Sequence, residues 1–178
     1  VGNLTSKNTI DLTSASFYLD FPDWNPDIES GFLLNIKFQI VQNDSWNRIF
    51  SSKIVYNAAT GFELTRNGSG TGDLQFQLQG SASYAYPKTD GDNDLLLVTV
   101  HYDGGTGFRV KCNNDAWGST TITALKNGTS GTCISENAAQ NDPNGLMYLH
   151  HSTMLVGSYS DSQADSLHTN PYQFLIPA

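Results

Sequence analysis

The sequence predicts an all-β fold, an antiparallel two-sheet sandwich, and three observations carry that prediction. Apolar and polar residues alternate with period two in segment after segment. Turns rich in Gly, Asn and Asp separate the alternating segments. No stretch keeps apolar residues at helical spacing over three turns, and the best attempt, Ser135 to Gln140, is too short for more than a single turn.

Ser16 to Phe21 is the first candidate strand. Phe32 to Ile40 shows the pattern best: Leu34, Ile36, Phe38 and Ile40 point one way, while Asn35, Lys37 and Gln39 point the other. Asn47 to Ser51, Ile54 to Tyr56 and Gly61 to Thr65 follow as short strands. Asn67 to Gly72 supplies the positive φ angles a hairpin needs before Leu74, Phe76 and Leu78, which alternate with Gln75, Gln77 and Gln79. Leu95 to Tyr102 and the segment with Phe108, Val110 and Cys112 alternating with Arg109 and Lys111 form a second hairpin around Asp103-Gly104-Gly105. Leu146 to His150, Thr153 to Gly157 and Tyr172 to Ile176 complete the series. About ten strands and no helix make a sandwich or barrel.

A chain of 178 residues buries a substantial core and matches the size of a single domain, residues 1–178. The net charge of -8 repels phosphate backbones, and the nine basic residues are scattered, so nucleic acid is excluded as a partner. Membrane insertion is excluded too, because the longest strongly apolar run, Leu95 to Val98, falls far short of a spanning helix. The start at Val1, without a basic leader, reads as a processed or excised product. Sequons at Asn3, Asn43, Asn67 and Asn127 are candidate N-glycosylation sites, the last three in expected loops, and point to a secreted or surface protein. In that setting Cys112 and Cys133 are expected to form a disulfide, closing a loop of about 20 residues worth roughly 3 kcal/mol; the alternative is two buried thiols.

Taken in order, FLLNIKFQI, RIFSSK, GFEL, GDLQFQL and LLLVTVHYDGGTGFRVKCNND, with the late segment Met154-Leu155-Val156-Gly157, resemble the laminin-G-like and pentraxin-like branch of the concanavalin A-like jelly rolls. The likeness covers roughly residues 10 to 160. The branch usually has Trp where this chain has Leu95 or Leu96, and Asn114-Asp115 stands where a turn Gly is usual. The resemblance implies a jelly-roll sandwich acting in glycan or protein recognition, with calcium held at one sandwich end in many members.

For that calcium, Asp90, Asp92 and Asp94 are the candidate ligands, although the segment lacks the Gly and Glu of an EF-hand loop. An enzyme is not expected. Retaining glycosidases need two carboxylates about 5 Å apart, and none of Glu29, Glu63 and Glu136 is followed by an acid two or four positions later. No Ser sits in a G-x-S-x-G elbow. His150 and His151, adjacent and expected in a turn, would face opposite ways on a strand and so do not form half of a metal site.

Sugar sites combine an aromatic face with Asn, Asp or Gln. Trp24, Trp46 and Trp117 lie in such surroundings, and Tyr84 and Tyr86 share one face of SYAYPK, so these five are the candidate carbohydrate-binding residues; the competing role for each Trp is to plug a sandwich end. Two functions follow. One is an extracellular module binding a glycan or an extracellular protein through its end loops. The other is a self-assembling subunit of a fibre, coat or matrix, using edge strands or termini.

Overall fold

Alternation along Phe32–Ile40 is realised as strand β3, whose Phe32, Leu34, Ile36, Phe38 and Ile40 are buried between two sheets. The computed structural model describes residues 9–13, 19–21, 23–40, 46–52, 58–67, 73–78, 83–86, 94–129, 131–135 and 147–173. In chain order the strands are β1 (Ile10–Leu12), β2 (Leu19–Phe21), β3, β4 (Trp46–Ser51), β5 (Glu63–Asn67), β6 (Leu74–Gln77), β7 (Ser83–Tyr86), β8 (Leu95–Tyr102), β9 (Gly107–Cys112), β10 (Gly118–Thr121), β11 (Thr132–Ile134) and β12 (Met147–Val156). A 3-10 turn at Ile28–Ser30 precedes β3, and helix α1 (Asp161–Thr169) follows β12.

One sheet has the order β1-β12-β3-β8-β9-β10 and the other β2-β11-β4-β5-β6-β7, with all pairings antiparallel. The chain is therefore an antiparallel two-sheet jelly-roll sandwich, as expected. Both expected hairpin pairings form: β8 with β9, through a turn in which Gly104 takes φ 84°, and β5 with β6, whose connecting residues 68–72 lie outside the described residues. Phe32 of the first sheet stacks on Phe62, centroids 4.8 Å apart, and Phe62 stacks on Phe50 of the second at 5.3 Å. This aromatic column ties the layers together.

Several expectations are corrected. Leu146 to His150 and Thr153 to Gly157 are not two strands but one, β12, continuous through a bulge between Leu149 and His151. His150 and His151 therefore lie in a strand, and because a bulge breaks the alternation, both line the same cleft at the sandwich edge. Asn67 ends a strand, opposite Trp46, because β4 is long enough to pair two residues beyond Thr65. A helix exists where none was expected, and Tyr172 lies in a turn just beyond it. Ile54 to Tyr56, Glu136 to Gln140 and Phe174 to Ile176 fall outside the described residues.

The expected disulfide is absent. Cys112 of β9 points into the inter-sheet core. On β11 it is Ile134 that points there, so its neighbour Cys133 faces the opposite side of the second sheet. Both are buried thiols in different sheets, and strand geometry keeps them apart.

Candidate functional site

Helix α1 starts with a capping box: Gln163 N donates to Ser160 Oγ (3.3 Å) and Ser160 N to Gln163 Oε1 (2.8 Å). Asp161 sits in its first turn and His168 in its last, the favourable placement for the helix dipole if His168 is charged. Its narrow apolar face, Ala164 and Leu167, packs on Leu33 of β3, bordered by Trp117, Leu155 and Tyr159. The helix thus lies on the outer face of the first sheet.

Three polar side chains of the helix, Asp161, Asp165 and His168, fix it there. Asp161 Oδ1 contacts Arg109 Nη1 and lies 3.3 Å from His101 Nδ1, while His101 Nε2 lies 2.9 Å from the Tyr159 carbonyl. Asp165 Oδ1 accepts from Trp117 Nε1 at 2.5 Å. His168 Nε2 donates to the Asn113 carbonyl (2.6 Å), and its Nδ1 is 2.7 Å from Thr99 Oγ1, which itself accepts from Asn35 Nδ2. A carbonyl only accepts, so Nε2 carries the proton and Nδ1 is free to accept from Thr99. Burial, helped by Lys111, pushes the His168 pKa below its ordinary value against the opposing pull of the Asn113 carbonyl and Asp165.

Beside the C-terminal end of α1 a cleft of about 620 Å³ opens over β3, β8 and β9. Lys37, Leu97 and Lys111 form its floor; Asn113, Asn114 and Asp115 of the turn after β9 form one wall, and His168 and Thr169 the other. Asn113 adopts φ 47°, a left-handed conformation that Asn tolerates. Its side-chain oxygen accepts from Leu97 N (2.8 Å). Arg48, Arg109 and Lys126 each meet a carboxylate, whereas Lys37 and Lys111 have no ion-pair partner among the described residues.

The residues singled out from sequence are dispersed. Trp24 is 40% exposed, edge-on to Phe21, and lines a separate cleft of about 360 Å³ with His150, His151 and Met154. Trp46 begins β4, and its side chain is outside the described residues. Tyr86 is no sugar platform: it is a core residue whose hydroxyl donates to the Ala116 carbonyl (2.9 Å), and burial, with Asp115 nearby, pushes its pKa up to about 12. Tyr84 packs edge-on against Phe108 and tilted on Phe76. The ring of Trp117 carries Arg109 at 4.5 Å and Lys111 Nζ at 5.9 Å.

Asp90 and Asp92 lie outside the described residues, and Asp94 is exposed just before β8. Among the described residues no cluster of three or more His, Cys, Asp or Glu could hold a metal. Asn3 and Asn43 are also outside, as is the side chain of Asn67. Asn127 bridges two loops, its Nδ2 donating to Asp27 Oδ1 (3.0 Å) and its Oδ1 accepting from Glu29 N (3.1 Å). Glu29 reaches Lys126, and Glu63 is buried against Arg48 (3.2 Å) and Ser51. Glu136 is outside the described residues.

Sequence reasoning missed Lys37, Arg109, Lys111 and His168 as a group. Alternation already places the first three on wet faces, but only the order β3-β8-β9 brings them together.

Fold and strand order define the chain as an antiparallel two-sheet jelly-roll sandwich. It is similar to the CBM40 of Ruminococcus gnavus IT-sialidase in a structure bound to α2,3-sialyllactose, with TM-score 0.64, 9% identity, and coverage of 94% of this chain and 99% of that one. It is similar to the receptor binding domain of botulinum neurotoxin D (TM-score 0.69, 12% identity, 97% of this chain, 46% of that one). A third likeness is to a native heptameric SAP-like pentraxin from Limulus polyphemus (TM-score 0.62, 13% identity, 94% and 78%). At these identities the likeness is one of fold. No family model matches the sequence, and no curated protein sequence matches it. No helix among the described residues is long and apolar enough to cross a membrane.

Proposed function

We propose that this chain is an extracellular recognition module that binds a carboxylate-bearing glycan in the cleft between Lys37, Lys111 and the end of α1. The observation that carries the reading is the pair of lysines without ion-pair partners among the described residues, on the floor of a 620 Å³ cleft, in a protein of net charge -8. Ammonium groups hold a carboxylate by charge-assisted hydrogen bonds. Asn114, Asp115 and Thr169 can hydrogen-bond sugar hydroxyls, and Leu95 and Leu97 offer an apolar floor to a sugar ring. The neighbour bound to sialyllactose and the receptor-binding neighbour support binding as the role of the fold, and the reading involves no bond-making step.

Isothermal titration with α2,3-sialyllactose and with lactose tests it. The acidic sugar should bind and the neutral one should not, and the double variant Lys37→Ala, Lys111→Ala should lose at least tenfold in affinity, about 1.4 kcal/mol. Equal binding of both sugars, or binding of neither, refutes the reading. A large polymer by light scattering together with no glycan binding points instead to a structural subunit.

A further inference from the structure

The outer face beyond the cleft holds a second basic and aromatic strip. Arg109, His101 and Trp117 lie side by side there, with Lys111 joining the strip to the cleft through its contact with the Trp117 ring. The strip is already engaged by carboxylates, and both come from α1: Asp161 on Arg109 and His101, Asp165 on the indole N–H of Trp117. These two acids are four residues apart and so stand on one face of the helix, one turn apart.

We propose that α1 is a tethered occupant of a second carboxylate subsite, and that an acidic glycan extending from the cleft displaces Asp161 and Asp165 to bind Arg109, His101 and Trp117. The proposal rests on the reading of the cleft as an acidic-glycan site. Three features make the helix displaceable. Its apolar anchor is small, Ala164 and Leu167 on Leu33 with Trp117, Leu155 and Tyr159 at the border, a cluster separate from the main core. Asp161 remains 68% exposed, where ion pairs contribute little. Its polar anchors divide, because His168 is bound to Thr99 and Asn113 at the opposite end, so the first turns can swing out while the last turn stays seated. What they uncover suits a sugar acid: a guanidinium for bidentate carboxylate contact, and an indole with a face for the ring and an N–H for a hydroxyl.

The test measures binding of a hyaluronan hexasaccharide, which carries several carboxylates, to the full chain and three variants. Asp161→Asn, Asp165→Asn keeps the shapes and removes the competing charges. Leu33→Cys, Ala164→Cys staples the helix down, and Lys37→Ala, Lys111→Ala disables the cleft. Hydrogen exchange of the α1 amides reports seating of the helix independently of any glycan. A helix seated nine-tenths of the time masks the strip about tenfold, so the Asn variant should bind five- to tenfold tighter with faster α1 exchange. The staple should weaken binding, and reductant should restore it.

Unchanged affinity in the Asn variant overturns the proposal; if the lysine variant then loses binding, the cleft reading survives. No hyaluronan binding by any form overturns the proposal, and the sialyllactose titration then decides the cleft reading separately. Tight binding by the Asn variant that survives adding Lys37→Ala and Lys111→Ala upholds the subsite and overturns the cleft reading.

Discussion

His168→Ala tests how α1 is held. The side chain is 7% exposed and makes two hydrogen bonds, to the Asn113 carbonyl and the Thr99 hydroxyl. Each is worth about 1 kcal/mol net, and the orphaned carbonyl and hydroxyl add about 1 kcal/mol or more unless water reaches them. The expected loss is therefore about 2–4 kcal/mol at a pH near 7.5. Burial holds the folded imidazole below its ordinary 6.5, with Lys111 acting the same way and Asp165 opposing; Lys37 and Asp115 line the cleft beside it. The unfolded chain then binds a proton near pH 6.5 that the native state refuses. The stabilisation is complete above that pH and is lost as pH falls through 6.5 toward the folded value. His151, also lowered by burial, titrates in parent and variant alike and cancels in the difference. Urea unfolding followed by tryptophan fluorescence at about pH 7.5 and about pH 5 should show the gap between parent and variant narrowing in acid. A gap that stays constant, or one below about 1 kcal/mol at the higher pH, refutes the reasoning.

Gly31 has φ 97°, and a Cβ there would lie 2.9 Å from the carbonyl oxygens of Gly157 and Tyr102, so Gly31→Ala should cost about 2 kcal/mol or more, read as a lowered urea midpoint. Gln77 is 1% exposed, and neither its Oε1 nor its Nε2 has a hydrogen-bond partner among the described residues. Gln77→Met should accordingly stabilise the protein by about 1 kcal/mol, and destabilisation would mean that a group bonded to the amide had been lost. Cys112 and Cys133 should resist a thiol reagent in the native protein and both react in urea, with reductant leaving the unfolding midpoint where it was; labelling of neither in urea would contradict the thiol assignment.

The long strands were legible because period two alone decides which side chains face the core, as in β3, β8 and β9. Helix α1 was not, because its sequence DSQADSLHT offers only Ala164 and Leu167 as an apolar face, too few to show a period. Its readable signal was the Ser160 and Gln163 capping box. The disulfide failed for a similar reason: spacing along the chain says nothing about which sheet a strand joins, and β9 and β11 join different ones. Trp117 was legible as an aromatic among polar residues, but its partners Arg109 and Asp165 come from elements that only the fold brings together.

The two wet faces predicted by alternation have different fates, and the difference locates the candidate site. Across the second sheet Cys133, Ser51, Glu63 and Gln77 stand in one row, every one of them buried, with Arg48 closing on Glu63. That face pairs its charges internally. The first sheet leaves Lys37 and Lys111 open beside α1. An acidic ligand approaching a protein of net charge -8 is repelled at long range and attracted at close range by Lys37 and Lys111. With a Debye length of about 8 Å at physiological salt, the distant repulsion is screened while contacts at hydrogen-bond distance are screened much less. On the proposed reading, recognition depends on close fit in the cleft, and affinity should fall less steeply with salt than that of a protein attracting the same glycan through a broad basic surface.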